Sequence, residues 1–135
     1  MASAEEAGRL LAGRGYVVVT GGLGGVMAAA ARGAAEAGGT TVALLPGTDR
    51  ADASPDHRIV IPTGMGEMRN ALVVRSADAV LAVGGAWGTL SEIALAARTG
   101  VPVFAVDSWD LPGPEVTTCR NVAEAVAALA TRLAS

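Results

Sequence analysis

Apolar positions in this chain fall in short runs separated by glycine clusters, and the runs alternate between two periods. Tyr16–Thr20, Thr41–Leu45, Ala79–Val83 and Val101–Val106 are apolar and rich in β-branched residues, the pattern of strands buried on both faces. Arg58–Ile61 reads as a further short strand, with Pro62 after it. Between these runs lie Ala-rich stretches with helical spacing. Ser3-x-x-Glu6 predicts a capping box opening a helix through about Ala12, ended by Gly13 and Gly15. Val26–Ala37 predicts a helix stopped by Gly38-Gly39. Met65–Ala77 predicts one with Met68, Leu72 and Val73 on one face, and Thr89–Arg98 one stopped by Gly100. Asn121-x-x-Glu124 opens the last helix, ending near Leu133. Thr48–Pro55 and Asp107–Thr118, the latter with Pro112 and Pro114, read as loops.

Strands alternating with helices at this spacing predict βαβ units. The fold expected is α/β: a Rossmann-like, doubly wound sheet of about five parallel strands with helices on both faces. At 135 residues the chain is sized for a single domain, 1–135. No apolar run reaches the roughly 18 residues a membrane span requires. The opening Met1-Ala2-Ser3-Ala4-Glu5-Glu6 lacks the basic and apolar regions of a signal peptide.

Composition then removes whole classes of chemistry. All ten basic residues are arginine, so Schiff-base formation, pyridoxal-phosphate anchoring and a P-loop lysine are excluded. A single histidine, His57, and a single cysteine, Cys119, rule out His-rich or Cys-rich metal sites and an internal disulfide; no metal is expected. The formal charge of −3 and the 3% aromatic content give neither a basic footprint nor a stacking platform for nucleic acid. The expected setting is the reducing cytoplasm, with neither membrane nor nucleic acid as partner.

Two glycine clusters sit where a strand gives way to a helix: Gly21-Gly22-Leu23-Gly24-Gly25 and Gly84-Gly85-Ala86-Trp87-Gly88. In a parallel sheet that is the carboxyl edge, where ligands bind, and helix N-termini favour phosphate. The expected ligand contacts are Gly21, Gly22, Gly24, Gly25 and Met27 from the first turn. Gly85, Ala86, Trp87, Gly88 and Thr89 are expected from the second. The first turn is not a dinucleotide fingerprint, because Met27 occupies the third glycine position and the next strand ends in Leu45-Pro46, with no acid poised for a ribose diol. Ser54, Asp56 and His57 lie within four positions on one loop, too cramped for a hydrolytic triad. Asp78 reads as a turn residue, Cys119 as a small core hydrophobe, and Trp87 as either a stacking ring or a cover for its turn.

Gly21-Gly22-Leu23-Gly24-Gly25-Val26-Met27, Pro46-Gly47, Met68-Arg69-Asn70, Asp78 and Gly85-Ala86-Trp87-Gly88-Thr89-Leu90-Ser91-Glu92 together resemble the LOG superfamily, in its order and spacing, over about Ala4–Val106. Its best-known members are nucleoside 5′-monophosphate phosphoribohydrolases that activate cytokinins. The resemblance implies Glu92 and Arg69 as catalytic residues, a nucleoside monophosphate as ligand, no required cofactor and a homodimer or larger homo-oligomer. The sequence departs from the family pattern at Asn70 (lysine in the family), Gly84 (proline) and Ala86 (glycine). Those departures, with Thr20-Gly21-Gly22, Gly38-Gly39-Thr40-Thr41 and Ile93-Ala94-Leu95-Ala96, resemble a side branch that includes the molybdenum-cofactor carrier proteins of green algae. Three readings stand: hydrolase, non-catalytic carrier of molybdenum cofactor, and nucleotide sensor. Glu92 has a competing structural role, since Thr89-x-x-Glu92 is itself a capping box. The superfamily opens with a strand that this sequence lacks. The resemblance therefore implies that the strands at Tyr16 and Ala79 pair directly, or that a partner-chain or upstream segment lies between them.

Overall fold

A computed structural model describes residues 2–111 and 113–134. Met1, Pro112 and Ser135 lie outside the described residues. The fold is α/β and Rossmann-like, and the chain divides into two compact units, 1–73 and 74–135.

The first unit holds α1 (Ala2–Gly13), β1 (Val18–Thr20), α2 (Val26–Glu36), β2 (Thr41–Leu45), β3 (Ile59–Pro62) and the start of α3 (Arg69–Ser76). Its three strands are parallel in the order β1-β2-β3, with Val18 opposite Thr41 and Val42 opposite Ile59. The second unit holds the rest of α3, β4 (Val80–Val83), α4 (Trp87–Thr99), β5 (Val103–Val106), β6 (Val116–Cys119) and α5 (Val122–Leu133). Its strands are parallel in the order β4-β5-β6. β1 has β2 as its ladder neighbour, and β4 has β5. No helix among the described residues is long and apolar enough to cross a membrane.

Four expectations need correction. Ser3 is already helical, so it does not cap α1. β6 lies inside the stretch expected to be a loop; its Thr117 and Thr118 are exposed and the prolines before it mask its pattern. Among the described residues between β5 and β6 there is no helix, so the strand–helix alternation gave no sign of β6. β3 is an edge strand rather than a doubly covered one: Ile59 and Ile61 are each 45% exposed, and Arg50 Nη1 donates to the Val60 carbonyl at 2.6 Å. Finally, Gly66 at positive φ interrupts the helix expected from Met65. Gly66–Met68 forms a separate 3-10 turn and Met68 is exposed, whereas Val73 is buried in α3.

The first unit is built on an unusually close helix pair. A Cβ on Gly8 of α1 would overlap the Ala30 carbonyl oxygen of α2, and one on Gly33 of α2 would overlap the Glu5 carbonyl oxygen of α1. Ala4, Ala7, Ala29, Ala31 and Ala34 bury the surrounding surface, so the backbones touch and dispersion replaces large side chains. Arg32 Nε meets Glu5 Oε2 at 3.2 Å on the exposed rim of this crossing. In the second unit, Val74, Ala82, Ile93, Ala96, Val103 and Ala105 form the core.

Adding one methyl at Gly8 or Gly33 must push α1 from α2 or displace backbone, against a gain of some tenths of a kcal/mol in helix propensity. Gly8→Ala and Gly33→Ala are each expected to lower stability by about 1–3 kcal/mol in denaturant titration. Gly13→Ala, where a Cβ meets nothing, serves as the neutral control.

Candidate functional site

In the first unit β1 ends in Thr20 and the chain turns through Gly21–Gly25 into α2. Gly22 has φ 82°, and a Cβ there would lie 2.6 Å from Leu45 Cδ2 and 2.8 Å from Ala43 Cβ. Gly25 caps α2 at φ 64°, ψ −131°, a conformation L side chains rarely adopt. Gly24 and Gly25 are exposed, and a Cβ on either would meet nothing, so this rim is open. The first N–H groups of α2 have no intrahelical acceptor and point toward that rim.

Beside Gly21 the turn is closed by Arg69, the first residue of α3. The residue is only 9% exposed. A Cβ on Gly21 would lie 2.6 Å from Arg69 Nη2 and 2.8 Å from Met27 Sδ, so the bare glycine is what admits the guanidinium. Arg69 Nη1 donates to Asn70 Oδ1, while Arg69 Nε is buried with no hydrogen-bond partner. A buried cationic donor left unpaired is costly, and an anion in front of it removes that cost. Gly21, Gly22, Met27 and Arg69 are thus brought together.

A second polar tie holds the turn from below. Gly22 N donates to Thr20 Oγ1 at 2.9 Å, and that hydroxyl lies 2.6 Å from His57 Nε2. His57 Nδ1 lies 2.8 Å from Ser54 Oγ, and Ser54 N donates to the Gly22 carbonyl at 2.9 Å. The buried Thr41 hydroxyl fixes the segment on both sides of the histidine, donating to the Asp56 carbonyl and accepting from Arg58 N, each at 2.8 Å. His57, 6% exposed, therefore bridges two hydroxyls. Its Nε2 faces Thr20 rather than a carboxylate, which is not a nucleophile–base–acid arrangement. Burial lowers its pKa, outweighing the opposing pull of the Ser54 carbonyl and the Asp56 carboxylate.

In the second unit, Gly84 (φ 87°) follows β4 and donates its N–H to the Val106 carbonyl at 3.2 Å. Ala86 is the N-cap of α4 and Trp87 its first residue. Thr89 is therefore inside the helix, and the Thr89–Glu92 capping box does not form; Glu92 lies about one turn further on, half-buried. Gly85 and Gly88 border open space, and Trp87 is 77% exposed. Trp87 pairs with Trp109 beyond β5, ring centroids 5.2 Å apart and planes inclined by 36°. Trp109 Nε1 donates to the Ala86 carbonyl at 3.0 Å. Asp107, between β5 and Trp109, has φ 49°, and Ser108 Oγ is buried without a partner.

Trp109, Asp107, Ser108 and Thr20 were not singled out as site residues by the sequence. Trp109 had a usable signal, since it follows a strand end just as Trp87 does. Asp78 lies exposed in the bend before β4. Cys119 is buried at the end of β6, and desolvation pushes its thiol pKa up. Among the described residues no group of three or more His, Cys, Asp or Glu side chains is placed to hold a metal ion.

Parallel strands that end in glycine turns at helix starts, with a family arginine against the first, define a Rossmann-like protein of LOG type. The chain belongs to the SLOG cluster4 family, whose profile matches residues 1–132. Among solved structures it is similar to the molybdenum cofactor binding protein of the phototrophic bacterium Rippkaea orientalis, with 33% identity and a TM-score of 0.92 over 98% of this chain and 86% of that one. It is similar also to the molybdenum cofactor carrier protein of Chlamydomonas reinhardtii, with 36% identity and a TM-score of 0.90 over 99% of this chain and 88% of that one. An uncharacterized protein of Archaeoglobus fulgidus is 48% identical over 98 residues, 72% of this chain; the match spans 64% of that relative's length.

The lowered His57 pKa fixes the sign of a pH effect. In the unfolded chain the imidazole titrates near about 6.5, so below that value the unfolded state takes up a proton that the folded state resists. The contribution of neutral His57 is complete above that range and is lost as pH falls toward the folded value. Thermal midpoints measured from about pH 8 to pH 5 should fall on the acid side, and His57→Gln should flatten that fall. An identical pH slope in the variant would show that His57 is not the group responsible.

Proposed function

We propose that the protein binds a molybdenum-cofactor-type ligand, a phosphorylated pterin, and carries it without cleaving it. The observation that carries this reading is Arg69: nine-tenths buried, packed on Gly21 beside Met27, with Nε unpaired. A phosphate at the start of α2 would accept from that donor and from the free N–H groups of the first helical turn. Support comes also from the relatives described as binding or carrying molybdenum cofactor. The cofactor is cargo here, and the chain's part is to hold its phosphate and shield its ring.

The departures from the hydrolase pattern have physical consequences. Asn70 supplies an acceptor for Arg69 where a lysine would place a second cation. Gly84 adopts φ 87°, which a proline ring cannot reach. A second reading, phosphoribohydrolase, is supported by the family position of Glu92, which lies inside α4 about one turn from its start. In that reading Glu92 would stabilise oxocarbenium-like charge at C1′ while water attacks.

The test is anaerobic titration with isolated molybdenum cofactor, followed by gel filtration and metal analysis. Arg69→Met is expected to weaken binding by about ten-fold to hundred-fold, the worth of charge-assisted hydrogen bonds. Its thermal midpoint should stay level or rise, because an unpaired buried charge is removed. Unchanged affinity in Arg69→Met would overturn the reading. Release of ribose 5-phosphate from AMP or GMP, abolished by Glu92→Gln, would establish the hydrolase instead.

A further inference from the structure

We propose that Trp87 and Trp109 form an aromatic wall on the second unit that stacks a planar fused heterocycle of purine or pterin type. The chain contains only four aromatic residues: two Trp, one Tyr and one Phe. Both tryptophans stand just beyond the carboxyl ends of two hydrogen-bonded neighbours, β4 and β5. Core packing accounts for Trp109 in part, but not for Trp87, which is exposed while the buried core of the unit is Val, Ile and Ala.

The two rings differ in environment in the way a stacking site requires. Trp109 packs against the core of the unit, and its indole N–H is fixed on the Ala86 carbonyl at 3.0 Å, so its plane is set. Trp87 leans on it at 36° and remains 77% exposed, the most exposed large apolar side chain in the protein among the described residues. An indole held at one side and bare on the other presents a π-face that any flat heterocycle can cover. Gly85 and Gly88 on either side carry no Cβ and border open space, so a ring can approach the backbone closely.

Two further features mark the same turn. Asp107 is held at φ 49°, a left-handed conformation uncommon outside glycine, and the Ser108 hydroxyl beside it is buried without a partner. Strained backbone and orphaned polar groups collect where a turn is shaped for a ligand rather than for stability.

The inference rests on the ligand-binding reading of this protein and concerns the second unit by itself. Its test separates the two. The chain has just two tryptophans, so intrinsic fluorescence reports the wall directly. Guanosine and 6-hydroxymethylpterin, which carry the ring without phosphate, should quench it saturably, and ribose 5-phosphate should leave it unchanged. In calorimetry, Trp87→Ala and Trp109→Ala should weaken ring binding by about ten-fold or more. Trp87→Phe should retain most of it, and Arg69→Met should bind guanosine as the unmodified protein does. Ring compounds that leave the fluorescence unchanged, or bind Trp87→Ala with full affinity, would overturn the wall. So would sedimentation showing that Trp87→Ala only dissociates an oligomer while ring affinity is kept. Loss of ribose 5-phosphate binding in Arg69→Met with ring binding intact supports both sites. Ring binding with no phosphate binding at all refutes only the role of Arg69.

Discussion

A guanidinium buried beside a glycine is the constraint around which the first unit's carboxyl edge is arranged. Arg69 cannot lie against the turn unless Gly21 lacks a Cβ, and Met27 must share the space left. Asn70 offers the group an acceptor, yet Nε remains unpaired. The folded chain therefore holds, at a cost, a buried guanidinium whose Nε has no hydrogen-bond partner. That cost is borne by the alanine and glycine packing of α1 on α2, which orders the unit with few large side chains.

The turn that faces this charge is not held by glycines alone. Glycines allow φ 82° at Gly22 and φ 64° at Gly25, but permissive residues lose the most entropy on ordering. The hydrogen bonds from Gly22 N to Thr20 and from Ser54 N to Gly22 O offset that loss, and His57 ties the two side chains together. The histidine acts through Thr20 and Ser54; it is a positioning residue. A protonated ring would become a double donor and would have to be accepted by both hydroxyls at once. Its burial in neutral form and the geometry of the turn are therefore coupled.

How much of this could be read from the sequence follows from the range of the interactions. Strands β1, β2, β4 and β5 announce themselves because burial on both faces demands uninterrupted apolar runs, and the helix stops at Gly38 and Gly100 are local. The glycine turns were legible for the same reason. β6 was not, because an end strand with exposed Thr117 and Thr118 carries no such run. The start of α4 was misplaced by two residues, since Thr89 looks like a cap while Ala86, with φ −67° and ψ 158°, occupies the N-cap without a side-chain bond. His57 lies thirty-seven positions from Thr20, and nothing local signals that pairing. The same holds for Trp109 on Ala86, twenty-three positions away.

The departures from the LOG pattern argue for a change in what the second turn does. With proline, the residue at 84 would be confined near φ −65°; with glycine it sits at φ 87° and its N–H bonds the end of β5. A proline could make neither the conformation nor the hydrogen bond. Ala86 then needs no glycine, because its backbone lies in the extended region open to every residue. The variable position that follows carries Trp87, and the Ala86 carbonyl anchors Trp109. Each unit thus presents a different chemistry at its glycine turn: a charge in the first, aromatic faces in the second. The substitutions that weaken the hydrolase pattern are, in this chain, compatible with the tryptophan pair, which is a physical reason to place binding ahead of catalysis.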